Sequence, residues 1–324
     1  MTADLLVRGP ETSGISIALV IGMSDPTKRT VAVVESEAKA PAAPEQTETT
    51  GAGTRLTADE IYENVRVAAE FEMKRPASAL FWSALAAGLT IGFSFLGGSY
   101  ANSLVPPRFG VVAAAAVYPL GFVFVVIARN QLFTENTLEP IIPLLHSPGR
   151  ETLKKLISLW TVVLTGNMIG TLIFAYVLAR TPVMSMSIEP SLQAVARLGT
   201  SGGFVHVLYH GVFAGWLIAL MAWLVASTRE TVAQVILIVL TTAPISAFGF
   251  NHSIAGSVEA FYRAASGSAG WLDMVAGFVI PATLGNIIGG ILLVALLNHG
   301  QVVAGRTNNH GEEDSRPGWG RDYK

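Results

Sequence analysis

The sequence predicts an all-α polytopic membrane protein with six transmembrane helices in two inverted three-helix repeats, the second and fifth helices being broken. Three observations carry this. First, 51% of the 324 residues are hydrophobic and only 14% are charged, against about 25% charged in a soluble domain, and the mean hydropathy is +0.50. Second, most of the charge lies in residues 1–76 and 301–324, leaving residues 77–300 apolar almost throughout. Third, that apolar block repeats itself. Gly166-Asn167-Met168-Ile169-Gly170 matches Gly285-Asn286-Ile287-Ile288-Gly289, and Ala87-Gly88 with Ile91 matches Ala214-Gly215 with Ile218. Three spans per repeat is an odd number, so the second half enters the membrane from the opposite side. Any binding site then falls where the two broken spans meet near the midplane.

The elements follow in order. Residues 1–56 are polar and rich in Ala, Pro, Glu and Thr, and read as a disordered tail. Within them the apolar run 15–23 is too short for the roughly 20 residues of a crossing. Thr57 and Glu60 form a capping-box pattern, which opens an amphipathic helix over residues 57–76. Its apolar positions are Ile61, Val65, Ala68 and Phe71, and it is expected along the membrane surface. Six spans follow at about 77–100, 109–145, 153–179, 204–227, 232–264 and 271–298. Spans two and five are too long for one crossing, and each carries a proline, Pro119 or Pro244. Each also has a polar stretch: Arg129, Asn130, Gln131, Leu132, Phe133, Thr134, Glu135 and Asn136 in one, Asn251, His252 and Ser253 in the other. Irregular backbone at membrane depth is tolerated only when packed in protein or lining a cavity, so both stretches should face inward. Small residues such as Ala84, Ala87, Gly88 and Gly92 suit close approach between subunits. Trp82, Tyr100 and Trp271 read as interfacial anchors. Residues 301–324 are polar and read as a second tail.

Charge and composition exclude several function classes. A net charge of −2 gives no nucleic-acid surface. The absence of Cys removes disulfides, thiolate metal sites and Cys nucleophiles together. Neither phosphate-binding, dinucleotide-binding, zinc-protease nor hydrolase motifs occur, so an enzyme is not expected. His206 and His210 have a spacing that suits metal, but no Cys or acid motif accompanies them, and neither metal nor cofactor is expected. Basic residues near the span ends, Arg66, Lys74, Arg75, Arg150, Lys154, Lys155, Arg229, Arg306 and Arg316 on one side against Arg108, Arg180, Arg197 and Arg263 on the other, place both termini in the cytoplasm.

Leu132-Phe133-Thr134 with Asn136, Gly166-Asn167 with Gly170, Phe248 to Ile254 and Pro281 to Gly290 occur in order over about residues 75–298. In these motifs the chain resembles the formate/nitrite transporter family. Gln131 to Asn136 and Gly256 to Tyr262 are similar to its YfdC-like branch. The resemblance implies a bacterial inner-membrane homopentamer of aquaporin-like protomers, each with its own pore for a small monovalent anion or its weak acid. It puts His252 at the family's central histidine, Thr134 at the threonine of the first broken helix, Tyr118 and Phe122 at one constriction and Ile245 near the other. The chain departs from the family pattern at Gln131, Glu135, Arg129 and Ala214-Gly215, and Arg197 is the nearest basic candidate for the vestibule lysine.

A small anion loses much hydration energy in such a pore, and that cost falls if it travels with a proton. Histidine, with an unperturbed pKa of about 6.5, suits the exchange; the alternative is a structural histidine. Thr134 is expected either to bond the permeant or His252, or to cap the following half-helix. Asn251 is expected beside the permeant, and Asn167 and Asn286 are expected to bond unwound carbonyls across helices. An Arg129/Glu135 ion pair is the favoured reading of those two charges, with anion guidance by Arg129 as its rival; Glu139 and Glu259 are unusual acids at membrane depth. Two other functions compete with anion passage: a pore for water or another neutral solute, and a non-transporting pentameric scaffold.

Overall fold

The computed structural model describes residues 56–184 and 186–314. The expected N-terminal tail, apart from residue 56, and residues 315–324 lie outside the described residues.

The described residues form ten main helices and no strand: α1 Ala58–Glu72, α2 Ala77–Ser103, α3 Pro107–Ile127, α4 Ile141–His146, α5 Arg150–Arg180, α6 Glu189–Gly199, α7 Phe204–Val225, α8 Thr231–Ala247, α9 Ser253–Ser266 and α10 Trp271–Gly305. Five of them, α2, α3, α5, α7 and α10, are long and apolar enough to cross a membrane. The sixth crossing is composite. At 17 residues α8 is only about 26 Å long, and α9 continues it after a break. Helical structure also runs on over Leu296–Asp314, past the expected end of the membrane domain.

Both breaks are built by one device. Helix α3 ends with Arg129 in the left-handed region (φ 54), Asn130 N donating to Val125 O and Arg129 N to Val126 O, both at 3.0 Å. Helix α8 ends with Gly249 at φ 67, Phe250 N donating to Ile245 O (2.8 Å) and Gly249 N to Ser246 O (3.3 Å). These are paired Schellman closures. The arms beyond the breaks differ. In the second half α9 is a full 14-residue helix. The first half manages only the turn Glu135–Thr137 and the six-residue α4, because Pro140, Pro143 and Pro148 interrupt the backbone ladder.

Packing repeats the inversion. Helix α2 lies along α5, and α7 along α10, while α3 and α8 face each other. Helix α9 packs on α5 of the other half, and Glu135–Thr137 touches α7 and α10. Close approach needs glycine at matched positions: a Cβ on Gly88 would overlap the backbone of Asn167, and one on Gly215 that of Asn286. This corrects one expectation. Ala84, Ala87, Gly88 and Gly92 are buried inside the protomer against α5, so that face is spent on folding rather than left for a neighbour.

The capping box of α1 is formed: Thr57 N donates to Glu60 Oε2 at 2.7 Å and Glu60 N to Thr57 Oγ1 at 3.3 Å. These bonds hold the Glu60 carboxyl below the usual carboxylate range. The docked face differs from the expected one. Tyr62, Val65 and Ala69 are buried whereas Ala68 and Phe71 are exposed, because Tyr62 reaches His299 (2.7 Å) and rotates the helix toward α10. Large apolar side chains, among them Trp82, Val112, Tyr176, Leu240 and Leu297, are exposed around the bundle, as a lipid-facing surface requires.

Candidate functional site

The two broken segments meet at His252. Phe133, Thr134, Asn251 and His252 are all buried, His252 with 1% of its surface exposed. Its Nδ1 accepts from Ile254 N (3.2 Å) and Ala255 N (3.0 Å), so the ring caps α9 through its own side chain. With the Nδ1 lone pair so used, the proton of the neutral ring sits on Nε2. Nε2 lies 2.9 Å from Thr134 Oγ1. The ring N–H donates to that oxygen, which leaves the threonine hydroxyl hydrogen free to point elsewhere. Thr134 does not cap the turn that follows it; its side chain is committed to the histidine. Phe122, buried, stands edge-on to the imidazole at 5.0 Å between centroids and touches Tyr118 at 5.3 Å.

Two asparagines hold the segments in register. Asn167 Oδ1 accepts from Phe133 N (2.9 Å), and its Nδ2 donates to Ala84 O (2.7 Å) and Gln131 O (2.9 Å). Asn286 Oδ1 accepts from Ser253 N (2.8 Å), and its Nδ2 donates to Gly211 O and Asn251 O, both 2.9 Å. Each therefore clamps the backbone on either side of one residue, Leu132 in the first half and His252 in the second. Buried backbone groups left without such partners would cost about 1–3 kcal/mol each.

The other loop residues serve the scaffold. Leu132 and Phe133 are buried. Asn136 Nδ2 donates to Gln131 Oε1 (3.0 Å), Gln131 Nε2 to Glu72 Oε2 (2.9 Å), and Gln131 N to Ser83 Oγ (3.1 Å). The first broken loop is thus tied to the end of α1. No sequence signal marked Glu72 for this, since the contact spans two separate elements. Asn251 Nδ2 donates to Gly199 O (2.9 Å), while its Oδ1 is buried without a hydrogen-bond partner. The Arg129/Glu135 pair is not formed: the ion pairs among the described residues are Arg66 with Glu63 and Glu70, Arg75 with Glu72, and Lys154 with Glu151. The left-handed turn leaves Arg129 exposed, while Glu135 lies half-buried on the turn beyond it.

A cavity of about 430 Å3 opens from His252 toward α6 and α7. Tyr118, Ile245, His206, His210, Gly199 and Glu259 are among its walls. Tyr118 and Ile245, expected at separate constrictions, share this one cavity, and Phe122 is not among its walls. The His206 and His210 rings lie 3.9 Å apart between centroids, tilted by 34°, and His210 Nδ1 donates to Gly249 O (2.8 Å), which braces the second break. Arg197 lines a neighbouring cavity of about 370 Å3 with Arg263, Thr200 and Asp273.

Comparison with known proteins places this geometry. A family model described as formate/nitrite transporter matches residues 59–300. The chain is 36% identical over 248 residues to the inner membrane protein YfdC of Escherichia coli (strain K12), covering 75% of this chain and 78% of that protein. It is 26% identical over 255 residues to the formate channel FocA of the same strain, covering 71% and 88%. A solved pentameric formate channel with formate bound shares its fold, with a TM-score of 0.58 at 24% identity over 70% of this chain and 98% of that one. This chain is a multi-pass membrane protein and belongs to the formate/nitrite transporter family.

Proposed function

We propose that the protein is a homopentameric inner-membrane channel in which each protomer passes a small monovalent anion or its weak acid, with His252 exchanging a proton with the permeant. One observation supports the reading: the two cap bonds fix the His252 ring with its Nε2–H directed at Thr134 Oγ1, so that the Nε2–H and the Thr134 hydroxyl are the two protons that can be offered to the permeant. A histidine held at membrane depth between two inverted halves is where a transported ion loses its water. The names of relatives support the substrate class and the assembly, since FocA is a formate channel and the solved neighbour is pentameric. The residues proposed to act are His252 and Thr134, with Tyr118, Phe122 and Ile245 narrowing the path and Asn251, Asn167 and Asn286 supporting it. The excess of basic residues near α1, α5 and Arg229 supports a topology with both termini in the cytoplasm. The cavity beside Glu259 is then the outer vestibule.

A second reading, a pore for neutral solutes, is favoured by one feature: no Lys or Arg lines that vestibule. Flux into proteoliposomes, measured for formate, nitrite, acetate, chloride and a neutral solute, separates the two. Fast formate or nitrite entry with slow neutral-solute entry supports the anion channel, and the reverse order overturns it.

A further inference from the structure

Glu259 is the one carboxyl group on the outer vestibule wall, and neither the fold nor the His252 site uses it. It is 6% exposed, yet among the described residues its carboxyl makes no hydrogen bond and no ion pair within 4 Å. Its seat is built for it. A Cβ at position 199 would run into the carboxyl, so glycine there is what lets the acid stand in the cavity. The same cavity reaches His252 and Tyr118.

The surroundings hold no cation to compensate a second negative charge. The ionisable walls of the vestibule are Tyr118 from α3, His206 and His210 from α7, His252 and Glu259 itself; α2 contributes Asn102 and α5 nothing. Arg263, one turn along α9, is turned to Thr200 Oγ1 (2.8 Å) and lines the neighbouring cavity with Arg197 of α6 and Asp273 of α10. Glu189 lies in the first turn of α6 and is not among the vestibule walls. Two carboxyl groups confined together without a cation do not both ionise; they share one proton.

Resting on the channel reading above, we propose that Glu259 is the outer proton-exchange residue of the pore, handing its proton to an entering carboxylate. A carboxylate entering the vestibule pairs with Glu259 through one proton. The O–H bond of Glu259 breaks as an O–H bond forms on the permeant, which moves on to His252 as the neutral acid. Glu259, left as carboxylate, regains its proton from water at the outer mouth. Exit runs the same steps backwards. Chloride, which cannot accept a proton at these pH values, is excluded by the same acid.

The test is formate uptake into proteoliposomes of wild type, Glu259→Gln and Glu259→His across a pH series, with flux divided by the concentration of undissociated acid and chloride as the control. Glu259→Gln should lower normalised formate flux about ten- to a hundredfold, the loss of one hydrogen bond to a charged group. It should also flatten the remaining pH dependence and narrow the preference for formate over chloride. Glu259→His should restore a pH dependence with a moved midpoint, an effect that a structural role cannot produce, and it decides the matter alone if the Gln variant does not assemble. A conducting wild type whose normalised flux and pH profile survive both substitutions overturns the role of Glu259 and leaves the channel reading standing. A wild type closed to formate and acetate overturns both.

Discussion

Asn167 and Asn286 make the same three hydrogen bonds, one accepted and two donated, in the two halves of the protein. The residue clamped by the first is Leu132 and by the second His252. Inverted architecture thus supplies two equivalent seats at the centre of the protomer, and only one of them carries an ionisable group.

Asn286→Ala should release Asn251 O and Ser253 N at once and lower stability by about 2 kcal/mol or more. Cross-helix bonds in membranes usually contribute less than 1 kcal/mol, but irregular backbone has no other partner here. Asn286→Asp should do no better, because a carboxylate faces two carbonyl oxygens. Thermal unfolding midpoints in detergent check both; an unchanged midpoint for Ala would remove the clamp from the account.

Arg129 stands in the left-handed turn where its repeat partner is Gly249. A non-glycine residue there is strained by about 1–2 kcal/mol, and no ion pair offsets it among the described residues. Arg129→Gly should therefore raise stability by about 1 kcal/mol. If Arg129 guides anions, the same variant loses flux while gaining stability, and unfolding and flux measured on one sample separate the two effects.

Much of this was legible in sequence because membrane insertion writes its demands along the chain. The six crossings, both breaks and the capping box at Thr57 follow from apolar length, proline and cap chemistry. The asparagines were legible because each sits in a glycine-flanked motif that repeats. What escaped was long-range. The bond from Gln131 to Glu72, the seat that Gly199 leaves for Glu259, and the docking of Tyr62 rather than Phe71 on the bundle join elements far apart in sequence. Local pattern records which residues can be buried, and not which partner buries them. The Arg129/Glu135 pair is a local miss instead: the left-handed turn at Arg129 leaves that side chain exposed while Glu135 lies half-buried.

The capping box gives a pH dependence outside the membrane-spanning segments. The folded Glu60 carboxyl lies below its ordinary value of 4.5 because Thr57 N–H and hydroxyl donate to it. Its contribution to α1 is therefore fully present above that ordinary value and is lost as pH falls through the lower folded one. Amide exchange at the first turn of α1 should accelerate in that window. Thr57→Ala should show fast exchange already at neutral pH; protection unchanged by either would contradict the cap.

The central claim is that a proton moves between His252 and the permeant, and its most direct test compares wild type with His252→Asn in proteoliposomes carrying an internal pH reporter. The account predicts that wild type takes up formate with a proton, faster as the outside is acidified, and that His252→Asn keeps the pentamer while losing that acid-dependent rise. A variant that is merely less stable, with the pH profile of its remaining flux unaltered, would contradict proton exchange at His252, as would a wild-type pore closed to every weak acid.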